Sequence, residues 1–157
     1  DPTDAPLGGM GCRVRDDQPP QAVNPLDAHA GFMWVSPVLP TDGLKARELM
    51  NLIEPVYEKH GFEALVTFTM ITERAMVCVT NLSFDHRDKG EVAKAQVCYD
   101  ELMDTLISSG FLPYRTGNRG FAKLHREPSV FWDVAGQIKS VLDPDHLISP
   151  GRYLPKT

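Results

Sequence analysis

Between residues 92 and 107 the apolar side chains Val92, Ala95, Tyr99, Leu102, Met103, Leu106 and Ile107 recur at steps of three and four. That spacing sets them on one face of a helix, and Gly110 stops it. A helix with a single apolar stripe has to bury it against another layer, and its flanks say which kind. Before it, 64–70 and 75–84 are β-branched and aromatic runs joined by the short segment 71–74, which predicts an antiparallel pair. The loop Asp85-His86-Arg87-Asp88 follows, with Asp88 placed to cap the helix. After the helix, 111–115 is one more short strand.

Upstream, 32–39 is an apolar run that reads as a buried strand, and Pro37 inside it predicts an edge position or a bulge. Thr41 or Asp42 can cap a helix carrying Leu44, Leu49, Leu52, Ile53, Val56 and Tyr57. Lys59 and His60 suit its C-terminal dipole, Gly61 ends it, and Pro55 should kink it one turn back. The order β-α-β-β-α-β over 31–115 is the split β-α-β, or ferredoxin-like, unit. The fold class is therefore α+β, an antiparallel sheet with both helices on one face. A loop at 116–127 leads to a third helix at 129–142, with Val130, Val134, Ile138, Val141 and Leu142 on one face, and then a tail.

Residues 1–30 hold five prolines and three glycines, which oppose regular structure. This segment reads as an extended arm lying on a partner or on the rest of a larger protein, with disorder as the competing reading. The chain opens at Asp1-Pro2 without Met, as a fragment, a processed chain or a trimmed one would.

Net charge is −5 and the basic residues do not cluster, which argues against nucleic acid as a partner. No apolar run approaches the length of a membrane span. Cys12, Cys78 and Cys98 are odd in number, far apart and without zinc-like spacing, so no metal is expected. Reduced thiols favour the cytoplasm and leave the periplasm open.

Tyr114-Arg115 places a phenol hydroxyl beside a permanently charged fork of donors, a pair suited to an anionic oxygen. Taken alone, it is also what a strand end with a snorkelling arginine looks like. Trp34, Phe68 and Trp132 line a pocket or fill the core, and core is the default for each. His60, His86, His125 and His146 sit in polar or chain-end contexts and read as solvated.

The closing stretch from Leu142 to Tyr153, with Asp143-Pro144 and Pro150-Gly151-Arg152, resembles the C-terminal signature of the vanillyl-alcohol oxidase and 4-cresol methylhydroxylase family of FAD-linked 4-alkylphenol oxidoreductases. The likeness extends back through Tyr114-Arg115, Thr72-Glu73-Arg74 and Trp34-Val35-Ser36-Pro37, over roughly residues 29–155, and is greatest to eugenol-oxidase-like members.

The resemblance implies that 31–157 is the cap over the flavin, with the FAD-binding domain absent from this chain. It implies that Tyr114 and Arg115 hold the substrate as a phenolate, and that Arg152, after Gly151, faces the flavin edge that gains negative charge on reduction. Trp34 and Thr67 fall in the substrate pocket. Hydride then leaves the benzylic carbon and a quinone methide remains.

Covalently flavinylated relatives carry a His near the first cap strand; here stand Phe32 and Met33, so non-covalent FAD is expected. Thr67 stands where some relatives have a carboxylate, which favours dehydrogenation over hydroxylation. The expected partners are the missing FAD-binding domain or chain, a small phenolic substrate and a second copy in a homodimer. The alternative is a stand-alone ferredoxin-like binding module.

Overall fold

The computed structural model describes residues 29–125 and 129–150. Most of the expected N-terminal arm, together with Gly151 and Arg152, lies outside the described residues. The chain forms two compact units that divide between Tyr114 and Arg115.

The first unit is a sheet under two helices. Strands β1 (Ala30–Val35) and β2 (Val38–Pro40) precede helix α1 (Gly43–Lys59); β3 (Leu65–Met70), β4 (Ala75–Asp85) and helix α2 (Lys89–Ser108) follow. The long strand β4 is central. It pairs antiparallel with β1 and β2 along one edge and with β3 along the other. Beyond β1 and β2, the chain at 112–114 adds a single antiparallel bridge, Pro37 to Pro113. Counting β1 and β2 as one strand, this is the expected ferredoxin-like arrangement with its last strand cut to one bridge.

Pro37 stands at neither an edge nor a bulge, and the sequence expectation is corrected on this point. β1 and β2 share one register against β4, since Val35 faces Thr80 and Val38 faces Val77. The strand is interrupted at Ser36-Pro37 without a slip. The Pro37 carbonyl still accepts from Cys78 N at 3.0 Å, so the ladder loses only the bond that the missing N–H would have made. On the other side, Val38 N donates to Leu112 O and Tyr114 N to Ser36 O. Pro37 and Pro113 thus face each other as the pair in which neither nitrogen is asked to donate.

Both helices cap where the sequence placed them. Asp42 accepts from Leu44 N at 2.8 Å, and Asp88 accepts from Gly90 N and Glu91 N. Gly61 and Gly110, with φ of 68° and 82°, take the left-handed turn that follows each helix. The core lies between the helices and alternate residues of the strands: Leu49, Ile53, Leu102 and Leu106 meet Val35, Leu39, Cys78 and Leu82. One polar contact is buried there, Tyr57 Oη to Thr80 Oγ1 at 2.9 Å. Burial raises the Tyr57 hydroxyl well above its ordinary range, and pushes the thiols of Cys78 and Cys98 up to about 11 and about 12. At the helix ends, Glu101 of α2 binds both Lys59, the last residue of α1, and His60, which follows it. His60 is therefore partly buried and partnered rather than solvated.

Gly31 lies opposite Phe84, and a Cβ built on it would stand 2.1 Å from the ring. Gly31→Ala is expected to lower unfolding free energy by about 1–3 kcal/mol, as overpacking does, measured by urea denaturation. Ala at this position with wild-type stability would show that the ring moves aside freely.

At the end of β4, Arg87 binds both carboxyl oxygens of Asp85, at 3.1 and 2.7 Å. Those bonds hold the Asp85 carboxyl down at about 2, from an ordinary 3.8. A depressed carboxyl contributes stability above its unfolded pKa and loses it as pH falls through the folded one. The stability gap between wild type and Asp85→Asn should therefore stay constant above about pH 5 and close between about pH 4 and pH 2. A gap that persists unchanged at the acid end would contradict this.

In the second unit, the segment expected as loop contains a short helix, α3 (Asn118–Leu124), before the expected helix, α4 (Val130–Leu142). α3 has no side-chain cap and carries Gly120, so its local signal is weak. α4 buries none of its residues: Val130, Phe131, Val134, Ile138, Val141 and Leu142 are exposed.

Candidate functional site

Strand alternation gives the sheet two faces. One faces the helices. The other bears Phe32, Trp34 and Val38 from the first strand, with Leu65 and Thr67 from β3, and among the described residues of this unit no helix covers it. Trp34 pairs with Asn81, which pairs in turn with Leu65. One step along, Thr67 pairs with Val79, which faces Ser36 by the unbroken register, and Ser36 takes the Tyr114 N–H. Thr67, Val79, Ser36 and Tyr114 thus form one row across the sheet, spanning about 14 Å at ordinary strand spacing.

The sheet therefore brings together three of the residues singled out from sequence: Trp34, Thr67 and Tyr114. Trp34 is 54% exposed and Tyr114 55%, so the default of core for Trp34 is corrected. Phe68, on the other face near the strand end, is also more exposed than a core residue at 39%. Phe32 meets Trp34 edge to face, 4.7 Å between ring centres. Apart from Asp85 at its margin, the strand residues of this face carry no charge. The face offers apolar and aromatic surface, neutral hydroxyls and one phenol, a surface suited to a flat aromatic guest. A cavity of about 500 Å³ opens at its far end, lined by Phe62, Leu65, Asn81 and Ser83 with Glu58 and Glu63. It reaches neither Tyr114 nor Thr67, and the row across the sheet is the better candidate.

Sequence reading missed Val38, Leu65 and Leu112 as members of this face. The signal was present in the first strand, where Phe32, Trp34 and Val38 alternate with Met33, Val35 and Leu39. Both sets are apolar, which is the pattern of a strand covered on both sides.

Arg115 is exposed and opens the second unit. In that unit His125 is not solvated as expected. Its ring lies 4.4 Å from Phe121 and 4.0 Å from Trp132, and both ring nitrogens are buried without a hydrogen-bond partner. Burial lowers its pKa. Trp132 also meets Phe131 edge to face. At the end of α4, Asp143 is 7% exposed and accepts from Lys139 Nζ, from Leu147 N at 2.9 Å and from Ile148 N at 3.0 Å. Those donors hold its carboxyl at about 2. Among the described residues no cluster of His, Cys, Asp or Glu could hold a metal ion. No described helix is long and apolar enough to cross a membrane.

Comparison with known proteins gives these features a context. No protein-family model matches the chain. It is 32% identical over 135 residues to 1'-carboxy-chondrochloren decarboxylase of Chondromyces crocatus, covering 86% of this chain and 25% of that protein. It is 26% identical over 123 residues to the flavoprotein subunit of 4-cresol dehydrogenase [hydroxylating] of Pseudomonas putida, covering 78% and 23%. Its fold matches the isoeugenol complex of 4-ethylphenol oxidase from Gulosibacter chungangensis with a TM-score of 0.70, at 18% identity, over 83% of this chain and 27% of that one. The chain thus spans about a quarter of the length of these relatives.

A ferredoxin-like α+β sheet with one face under helices is matched here in fold to part of a larger oxidase. In sequence and fold the chain resembles one part of proteins of the vanillyl-alcohol oxidase and 4-cresol methylhydroxylase family.

Proposed function

We propose that this chain is the substrate-binding cap portion of an FAD-dependent oxidoreductase that oxidises a 4-substituted phenol. The observation that carries the reading is the open sheet face on which Trp34, Thr67 and Tyr114 stand together, neutral and largely apolar. FAD, bound mainly by a portion outside this chain, supplies the acceptor for a hydride from the benzylic carbon.

The chain's own residues prepare the phenol. The Tyr114 hydroxyl and the Arg115 guanidinium donate to the ring oxygen and hold it as an anion. A full negative charge there pushes electron density towards the para position, from which hydride departs, leaving a quinone methide. Trp34 and its neighbours offer ring-sized apolar surface and exclude water. Thr67 is neutral at every accessible pH and cannot activate water as a base, so the product is that of dehydrogenation. Phe32, on the same face, offers no nucleophile, in keeping with non-covalent FAD. Arg152, following Gly151, would supply positive charge where the reduced cofactor carries negative charge.

The proposed partners are the FAD-binding portion and a small phenol, with a homodimer of the assembled protein and a cytoplasmic setting also proposed. The flavin-linked relatives lend no support to the stand-alone binding module. The test joins the chain to an FAD-binding portion of this family and adds a 4-alkylphenol without oxygen. Bleaching of the flavin absorbance is expected; a flavin that stays oxidised with every such phenol would overturn the reading.

A further inference from the structure

β3 is the outer strand of the sheet on the side away from β1 and β2. The ladder fixes which way its backbone groups point. Cys78 N donates to Pro37 O, so Met76, Cys78 and Thr80 of β4 turn towards the first strand, and Val77, Val79 and Asn81 turn towards β3. Opposite the latter stand Thr69, Thr67 and Leu65, whose N–H and C=O groups point inward. Val66, Phe68 and Met70 therefore point theirs outward, where among the described residues no strand meets them. Pairing with β4 runs unbroken from Leu65 to Met70, so no bulge turns the edge aside. Its residues, Leu-Val-Thr-Phe-Thr-Met, include no charge and no proline, and Phe68 and Met70 are exposed. Folded proteins shield such an edge with a charge, a proline, a bulge or a covering element, and among the described residues β3 has none of these.

We propose that β3 is a docking edge for β3 of a second copy of this chain, joining two sheets into one across a two-fold axis at Phe68. Antiparallel pairing then sets Phe68 opposite Phe68 of the second copy, Val66 opposite Met70 and Thr67 opposite Thr69. In this register every outward-pointing residue meets another outward-pointing one, and each such pair exchanges both of its backbone hydrogen bonds. The side chains match as well. On the helix face an aromatic pair stands between two apolar pairs, and on the other face threonine meets threonine. These are cross-strand pairs that stabilise antiparallel sheets, and a strand without charge meets its own copy without repulsion. A slip of one residue would set inward-pointing groups against outward-pointing ones and helix-facing side chains against those of the open face. The contact is isologous, so it closes at two copies and does not grow into a fibre. It gives the homodimer of the reading above an interface but depends on neither flavin nor phenol, so its failure leaves that reading standing.

The test is made on the full chain in solution. Sedimentation equilibrium should show the mass rising with concentration from one chain to two. Phe68→Lys sets two like charges opposite one another and should raise the dimer dissociation constant by about tenfold or more. Met70→Lys, at a position 66% exposed, should do the same and serves where the first variant fails to fold. Val97→Lys, on the exposed side of α2, should leave the constant within about twofold of wild type. Amide exchange at Val66, Phe68 and Met70 should slow by about tenfold or more as the dimer forms, while Thr67 and Thr69, already bonded to β4, change little. In a Cys12→Ser background, Phe68→Cys should cross-link two copies on oxidation and Thr67→Cys should not, because only residue 68 meets itself across the axis. A wild-type chain that stays monomeric at millimolar concentration would overturn the proposal; the edge would then await a strand from the portion that the longer relatives have and this chain does not. A dimer whose affinity ignores both lysine variants, or whose formation leaves exchange at Val66, Phe68 and Met70 unmoved, would overturn it too.

Discussion

Arg115→Ala is expected to lower kcat/KM for a 4-alkylphenol by about 10²–10³-fold in the flavin-loaded assembly, the cost of removing one well-aimed donor from a developing or full oxyanion. The magnitude follows from ionisation. A phenol has an ordinary pKa near 10, so holding it as an anion at neutral pH means making its ionisation about a thousandfold more favourable, or about 4 kcal/mol. A guanidinium cannot lose its proton and offers two donors in one plane, so it supplies much of that on its own. Arg115→Lys should recover only part of the loss, because an ammonium is a point charge without the fork. Tyr114→Phe removes one neutral donor and should cost less than Arg115→Ala. The pH profile separates this role from simple misfolding. With Arg115 gone the bound phenol ionises at higher pH, so the rate should climb with pH beyond the wild-type plateau. Turnover that is unchanged, or that falls equally at every pH, would remove Arg115 from the assigned role.

The sequence carried much of this fold because the decisive signals were local. The three–four spacing from Val92 to Ile107, the caps at Asp42 and Asp88 and the glycines at 61 and 110 each follow from one or two turns of chain. The features it hid were non-local. Pro37 in isolation argues for an edge or a bulge. Its actual place depends on residues far along the chain: its carbonyl keeps the bond from Cys78 N, and the bonds to the chain at 112–114 run through Val38 N and Ser36 O. α3 was missed because Asn118-Arg119-Gly120 has weak helical propensity and no cap. The site was partly legible. Tyr114 was visible as a residue type, but its row with Ser36, Val79 and Thr67 exists only once β3, β4 and the first strand are in register. His125 and His60 were read as solvated because partners such as Trp132 and Glu101 are invisible to local polarity.

Leu102→Ala is expected to destabilise the first unit by about 2–5 kcal/mol, among the largest effects any single substitution in it can have. Leu102 has no exposed surface, and the cluster around it draws on both helices and on the sheet. Truncation there removes apolar transfer energy and leaves a void that three converging elements cannot all close. Ile138→Ala in α4 removes a similar number of atoms from a similar apolar stripe, and should shift stability by no more than about 0.5 kcal/mol. The stripes look alike in sequence; the difference is that Ile138 is 55% exposed and its helix buries nothing. Urea unfolding of the two variants beside wild type makes the comparison directly. Equal losses would mean that α4 is packed in solution against something that this structure leaves uncovered. A loss at Leu102 below about 1 kcal/mol would mean that the α2 stripe does not form the core. The contrast isolates the physical point: periodicity marks a helix and its apolar face, and only the layer that meets that face turns it into stability.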